Sequence, residues 1–215
     1  MDWNLINRSL EKWRKGREPA VTTVAEKYSS DPWAVLVSTI ISLRTKDDVT
    51  LVASKRLLAK APSPAKLAAL DVDKIESLIY PAGFYHTKAE NLKKIARILL
   101  DQYQGKVPAD MDKLLALPNV GRKTANLVLI EAFDLPGICV DIHVHRITNR
   151  CGWLCTKTPD ETEMTLREIL PKKYWKGLNA LLVLYGQNLC RPLSPFCSRC
   201  VIAAHCKQVG VERKR

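Results

Sequence analysis

Apolar residues recur at helical spacing along most of this chain. Between Lys88 and Gln104 the apolar set is Leu92, Ile95, Ala96, Leu99, Leu100 and Tyr103, which is one face of a helix. Trp3, Ile6, Leu10 and Trp13 repeat the pattern near the start, with Arg8, Lys12, Arg14 and Lys15 among them. Leu178, Leu181, Leu182, Tyr185 and Leu189 form another stripe. Trp33 to Ile41 is apolar nearly all round and predicts a buried central helix. Helix starts are marked as well. Asp31-Pro32 and Ser63-Pro64 each place a capping side chain before a proline at the first helical position. Thr158-Pro159-Asp160-Glu161 adds a capping box. Ile138 to Val140 is too short to count as a strand. The pattern predicts an all-α protein with short loops.

The periodicity stops after Leu189, where cysteines, prolines and small residues take over. Cys190, Cys197, Cys200 and Cys206 follow the spacing C-x6-C-x2-C-x5-C, whereas Cys139, Cys151 and Cys155 are scattered. Such a segment has too little apolar content for a core of its own. Four thiols in it predict a thiophilic centre that supplies the missing cohesion. Structural zinc favours two close pairs, and only Cys197 and Cys200 form one. The wide, unequal spacing favours an iron–sulfur cubane, with zinc as the alternative. The end, Val209 to Arg215, reads as a frayed basic tail.

Composition narrows the partners. The 215 residues include 34 Lys plus Arg against 22 Asp plus Glu, a net charge of +12. That excess attracts polyanions, with nucleic acid the leading candidate. The apolar share, 47%, predicts a folded core rather than disorder. No apolar run reaches the roughly 18 residues of a membrane helix. The N-terminus lacks the continuous apolar region of an export signal. A cytoplasmic, reducing location with unpaired thiols is therefore expected.

A second concentration of chemistry lies at Leu117-Pro118-Asn119-Val120-Gly121-Arg122-Lys123-Thr124-Ala125. A helix from about Asp112 is expected to end at Leu117, and another to begin near Arg122. Asn119 and Gly121 both tolerate positive φ in the turn between them. Such a turn presents backbone N–H groups at a helix N-terminus, which suits a phosphate oxygen. This is the form of a helix-hairpin-helix; the alternative is an ordinary helix–helix turn. Lys123 falls in the first turn of the second helix. The positive helix end and Arg122 disfavour an ammonium there, and partial burial would add to the effect. A lysine with lowered pKa is a usable amine nucleophile, the alternative being a lysine that pairs with phosphate. In Val140-Asp141-Ile142-His143-Val144-His145-Arg146, Asp141 precedes a helical run. It either caps that helix or faces positive charge developing on a sugar. His143 and His145 sit at i and i+2, so on a helix they point apart and make no metal pair.

The hairpin, the Val140-Asp141-Ile142-His143 segment and the cysteine tail resemble, in order and spacing, the endonuclease III family of helix-hairpin-helix DNA glycosylases. Ser42 to Thr50, Tyr80 to Glu90 and Gly186-Gln187 extend the resemblance over about residues 20–207. It implies two α-helical domains with DNA in the cleft between them. One is a six-helix barrel with the hairpin over residues 23–134; the other joins 1–22 to 135–215 and carries the cluster loop, 190–206. It implies a base-excision-repair enzyme, both DNA N-glycosylase and abasic-site lyase. Such an enzyme removes oxidised pyrimidines from duplex DNA and cuts the strand 3′ to the abasic site through a lysine Schiff base. Lys123 matches the catalytic lysine and Asp141 the family's aspartate. Cys190, Cys197, Cys200 and Cys206 match the ligands of a [4Fe–4S] cluster, which decides iron over zinc. The implied partner is double-stranded DNA with a damaged base or an abasic site, bound by a monomer with no membrane involved. The implied DNA contacts are Asn119, Gly121 and Arg122 in the hairpin, Arg44, Lys46 and Phe84 elsewhere, and Arg191 with Arg199 in the cluster loop.

Three positions depart from the family pattern. Asn119 stands where relatives usually have glycine, Arg44 where many have glutamine, and Phe84 where a leucine wedge is common. Two rival readings remain at this point: a mismatch-type glycosylase without lyase activity, and a non-enzymatic cluster protein that only grips DNA.

Overall fold

The computed structural model describes residues 1–16, 28 and 31–215, and no β-strand occurs among them. The expected domain boundary at residues 22–23 lies outside the described residues. The helices run α1 (Trp3–Arg14), α2 (Pro32–Ser42), α3 (Asp47–Lys60), α4 (Pro64–Ala68), α5 (Val72–Ile79) and α6 (Tyr85–Tyr103). They continue as α7 (Met111–Leu115), α8 (Arg122–Phe133), α9 (Ile142–Arg150), α10 (Pro159–Ile169) and α11 (Trp175–Asn188). The chain divides into two compact units, Met1–Ala20 with Pro136–Arg215 and Val21–Leu135.

In the Val21–Leu135 unit, α2 is the central rod. Asp31 starts it by accepting hydrogen bonds from the N–H groups of Trp33 and Ala34, with Pro32 in the first turn. Every side chain from Trp33 to Ile41 is buried, as the unbroken apolar run predicts. It packs against α3, α6 and α8. Ser63 caps α4, and α4 and α5 lie along α6. Leu92, Ile95, Ala96 and Leu99 of α6 join Leu36, Ile40, Leu57 and Val128 in one core. Each large apolar side chain of this kind contributes about 1.5–3 kcal/mol by leaving water. Gln104 ends α6 in the left-handed region, its N–H bonded to the Leu99 carbonyl.

In the other unit α11 is the spine, with α1 and α9 against it and α10 on α9. Trp3 packs edge-on against Trp153, and Trp13 against Tyr185, so both N-terminal tryptophans serve the core. Thr158 caps α10 as expected, but the reciprocal bond is shifted: Glu161 accepts from the N–H of Lys157, not of Thr158. Two 3-10 turns, Cys197–Arg199 and Ala203–His205, shape the cysteine segment.

The expected frayed tail is not found. Arg215 donates its N–H to the Pro195 carbonyl, and its own carbonyl accepts from Ser198. Val209 likewise bonds to the Arg150 carbonyl. These partners come from the folded cysteine segment, which a reading of tail composition does not include.

Candidate functional site

The hairpin begins where the five-residue helix α7, capped by Asp110, gives out at Ala116. Val120 donates its N–H back to the Leu117 carbonyl, closing the turn. Asn119 takes the left-handed conformation at φ 61, a region its short polar side chain tolerates. Gly121 corrects the expectation of positive φ. It is extended at φ −93 and ψ 177, and a β-carbon there would meet none of the described residues within 4 Å. Neither the backbone nor the described surroundings require glycine there. The N-cap of α8 is Gly121, which has no side chain to bond the first amides of the helix. Arg122 is half-buried. Lys123, the second residue of α8, is exposed, so the expected partial burial is not met. The core-facing positions of this turn are Thr124 and Ala125.

Asp141 belongs to the other unit and is the N-cap of α9. Its Oδ1 accepts from the N–H groups of both His143 and Val144 at 2.9 Å. The capping role weighed as the alternative is therefore real, and it fixes the carboxylate's orientation. Oδ2 is engaged by no described residue, so capping leaves one oxygen for a ligand. His143 and His145 diverge as predicted: His143 Nδ1 meets Arg146, and His145 Nδ1 meets Thr162 Oγ1 at 2.7 Å.

Arg44 and Phe84 are brought together. The guanidinium carbon of Arg44 lies 5.4 Å from the Phe84 ring centroid, and the ring is 63% exposed. Both residues are left-handed, at φ 51 and 58. Lys46 is the exposed N-cap of α3 and makes no side-chain cap bond.

The four cysteines predicted as ligands converge. Cys190, Cys197, Cys200 and Cys206 line one small cavity, together with Cys151, Leu189, Phe196 and Ile202. Arg150 Nη1 donates to Cys190 Sγ at 3.4 Å, and the N–H of Gln208 donates to Cys206 Sγ at 3.4 Å. The Tyr185 hydroxyl stands 3.1 Å from Cys200 Sγ. Burial pushes the Cys190 and Cys197 thiols up. A hydrogen bond from Cys151 holds Cys206 down. Among the described residues, no three His, Cys, Asp or Glu side chains form a group fit for a single metal ion. The donor set nonetheless suits a bulkier thiophilic group: the four predicted cysteines and Cys151 line one cavity with apolar neighbours, and Arg150 and Gln208 donate to the Cys190 and Cys206 sulfurs. Beside it, Phe196 gathers three cations, with the guanidinium carbons of Arg191, Arg199 and Arg215 at 5.3, 4.5 and 5.2 Å from its ring centroid.

Residues 37–172 match the family model of the HhH-GPD superfamily of base excision DNA repair proteins. The chain belongs to that superfamily. It is 44% identical over 178 residues to the endonuclease III of Thermotoga maritima, covering 83% of this chain and 84% of that one. To the endonuclease III of Escherichia coli K12 it is 35% identical over 200 residues, covering 93% and 95%. A solved structure of a trapped endonuclease III–DNA covalent intermediate superposes with a TM-score of 0.83 at 32% identity, covering 97% of each chain. The HhH-GPD assignment agrees with the all-helical fold and with the hairpin.

Sequence reasoning missed the residues that hold these parts in place. Cys151, read as scattered, lines the same cavity as Cys206. Arg150 also donates to the carbonyls of Arg191 and Pro192, at 2.7 and 2.9 Å. Lys88 and Thr45 sit behind Arg44 and Phe84. The one available sign was Lys88 itself, which lies four residues before Leu92 on the apolar stripe of α6.

Proposed function

We propose that this HhH-GPD protein is a bifunctional DNA glycosylase and abasic-site lyase acting on oxidised pyrimidines in duplex DNA. The observation that carries the reading is an exposed amine, Lys123, in the first turn of a helix that starts at a glycine N-cap directly after the hairpin. That end suits a DNA phosphate, and the open space at Gly121 lets a strand come close to the backbone amides. The endonuclease III relatives and the trapped DNA complex support the same chemistry.

The damaged nucleotide is turned out of the helix, at a cost lower for a lesion than for a sound pair. Arg44 and Phe84 fill the space it leaves. Lys123 Nζ attacks C1′, the glycosidic C–N bond breaks, and the base leaves with the bonding pair and takes up a proton. Asp141 offers Oδ2 to the positive charge developing on the sugar, while Oδ1 stays on the helix amides. The sugar ring then opens: the C1′–O4′ bond breaks, O4′ takes a proton from the attached nitrogen, and the iminium left between Lys123 and C1′ acidifies C2′. Loss of a C2′ proton expels the 3′ phosphate, and water then frees the lysine.

Cys190, Cys197, Cys200 and Cys206 would hold a [4Fe–4S] cluster. When bound, the group supplies cohesion to the cysteine segment, and no step of the reaction passes through it. Asn119, Gly121, Arg122 and Lys46 meet the DNA backbone, as do Arg191 and Arg199.

Borohydride trapping tests the reading. On duplexes with thymine glycol or an abasic site, a covalent protein–DNA adduct is expected, absent in Lys123→Ala and much reduced in Asp141→Asn. Base release without an adduct indicates a glycosylase without lyase activity. Binding with neither product leaves only a DNA-gripping protein.

A further inference from the structure

Lys88 is an ammonium in a place that water does not reach. It is 2% exposed, and no described carboxylate pairs with it. All three of its protons are used inside the protein. Nζ donates to the carbonyl oxygens of Ile41 at 2.7 Å and Leu43 at 2.6 Å, and to Thr45 Oγ1 at 2.8 Å. Those carbonyls lie at the C-terminal end of α2, the negative end of its dipole. A buried charge held by neutral groups alone is costly, and an apolar side chain would serve stability better.

What the charge does becomes clear at Thr45. Its hydroxyl accepts from Lys88 and also from the N–H of Gly83 at 3.0 Å, and it donates to the Leu43 carbonyl. One oxygen thereby ties the turn carrying Arg44 to the turn carrying Phe84. The two turns touch without a gap: a β-carbon on Gly83 would stand 2.4 Å from the Arg44 carbonyl oxygen. Left-handed backbone at a non-glycine residue persists only where its surroundings over-determine it. Here Arg44 and Phe84 are both left-handed, both at exposed tips, and joined through the same three-residue clamp.

We propose that Lys88 and Thr45 are positioning residues that lock Arg44 and Phe84 into a single rigid wedge for opening the DNA helix at the target base. This rests on the glycosylase reading above. Neither residue touches DNA. Each acts by removing the freedom of the two turns, so that insertion pays little ordering entropy. The wedge is built for the opening step and contributes less where no base remains to be displaced.

The test uses Thr45→Val, which keeps the shape and removes the shared oxygen, Thr45→Ser, which restores it, and Lys88→Met. Each full-length protein is mixed with a lesion duplex carrying 2-aminopurine opposite the damaged base, and with a duplex holding a preformed abasic site. Thr45→Val and Lys88→Met are expected to lower the fluorescence rise and the single-turnover rate on the lesion by about tenfold or more. Strand scission at the abasic site should change by less than about threefold, because the opening cost is smaller there. Thr45→Ser should recover both lesion readouts.

Should Lys88→Met fail to fold, Thr45→Val decides alone. Equal losses on both duplexes, or Thr45→Val behaving as wild type on the lesion, overturn the wedge. A wild-type protein that changes neither duplex nor the fluorescence overturns the glycosylase reading, and the wedge with it.

Discussion

Arg146 joins the helix that carries Asp141 to the first cysteine of the cluster segment: its Nη2 donates to the Cys190 carbonyl at 3.0 Å. The same nitrogen reaches the Gly186 carbonyl and His143 Nδ1. A half-buried guanidinium thus ties α9, α11 and the cysteine loop at one point. Arg146→Ala should cost about 1.5–3 kcal/mol, the usual worth of hydrogen bonds made by a charged group. Urea denaturation reads the loss. Activity should fall with it, since Asp141 caps the loosened helix.

Gly83→Ala should be far worse than its size implies. The added carbon meets a backbone oxygen, which cannot rotate away, so one of the two turns must move. The expected loss is about 1–3 kcal/mol in thermal denaturation. Lesion processing should suffer more than abasic-site scission, as for Thr45→Val.

Gly121→Ala offers the opposite contrast. Its backbone suits any residue, and nothing stands near the new carbon, so stability should stay within about 0.5 kcal/mol. Affinity for undamaged duplex should nevertheless drop. Unchanged affinity would show that no strand approaches this turn closely.

Lys88 gives a pH signature. Burial lowers its pKa from the usual lysine value to about 8. The folded chain therefore releases this proton before the unfolded chain, which holds it until about pH 10.4. Between those values the unfolded state binds more protons, so the contribution to stability becomes more favourable as pH rises. The urea midpoint of wild type, measured relative to Lys88→Met, should climb between about pH 8 and pH 10. A flat difference would mean that the folded-state proton is held as tightly as in the unfolded chain.

The cysteines separate by role. Serine at Cys190, Cys197, Cys200 or Cys206 should abolish the broad visible absorbance of an iron–sulfur cluster in the purified protein. Cys155→Ser should retain it, because Cys155 is exposed and does not line the cavity. A colourless wild-type protein with bound zinc would favour the other metal.

The parts of this molecule set by local rules could be read from the chain. Asp31, Ser63 and Thr158 start helices because a side-chain oxygen answers amides two or three residues away, a relationship contained within one turn. The burial of α2 follows from its unbroken apolar run. Cys190, Cys197, Cys200 and Cys206 stood out because metal-type spacing is itself a sequence property. What escaped was set by distant partners. Lys88 reads as a surface residue until the end of α2 is folded against it. Arg150 and Cys151 acquire meaning only when Lys207 and Val209 return to bond their carbonyls. The exposure of Lys123 depends on which side of α8 meets the core, and the hairpin residues alone do not determine it.

Phe196 carries no charge, yet it sets where three positive charges stand. Guanidinium groups repel one another, and it is the shared face of one ring that lets Arg191, Arg199 and Arg215 crowd together. Genetic drift at that ring would disperse the cationic surface while leaving every arginine in the sequence. A comparison of basic residues among relatives would record no change at all.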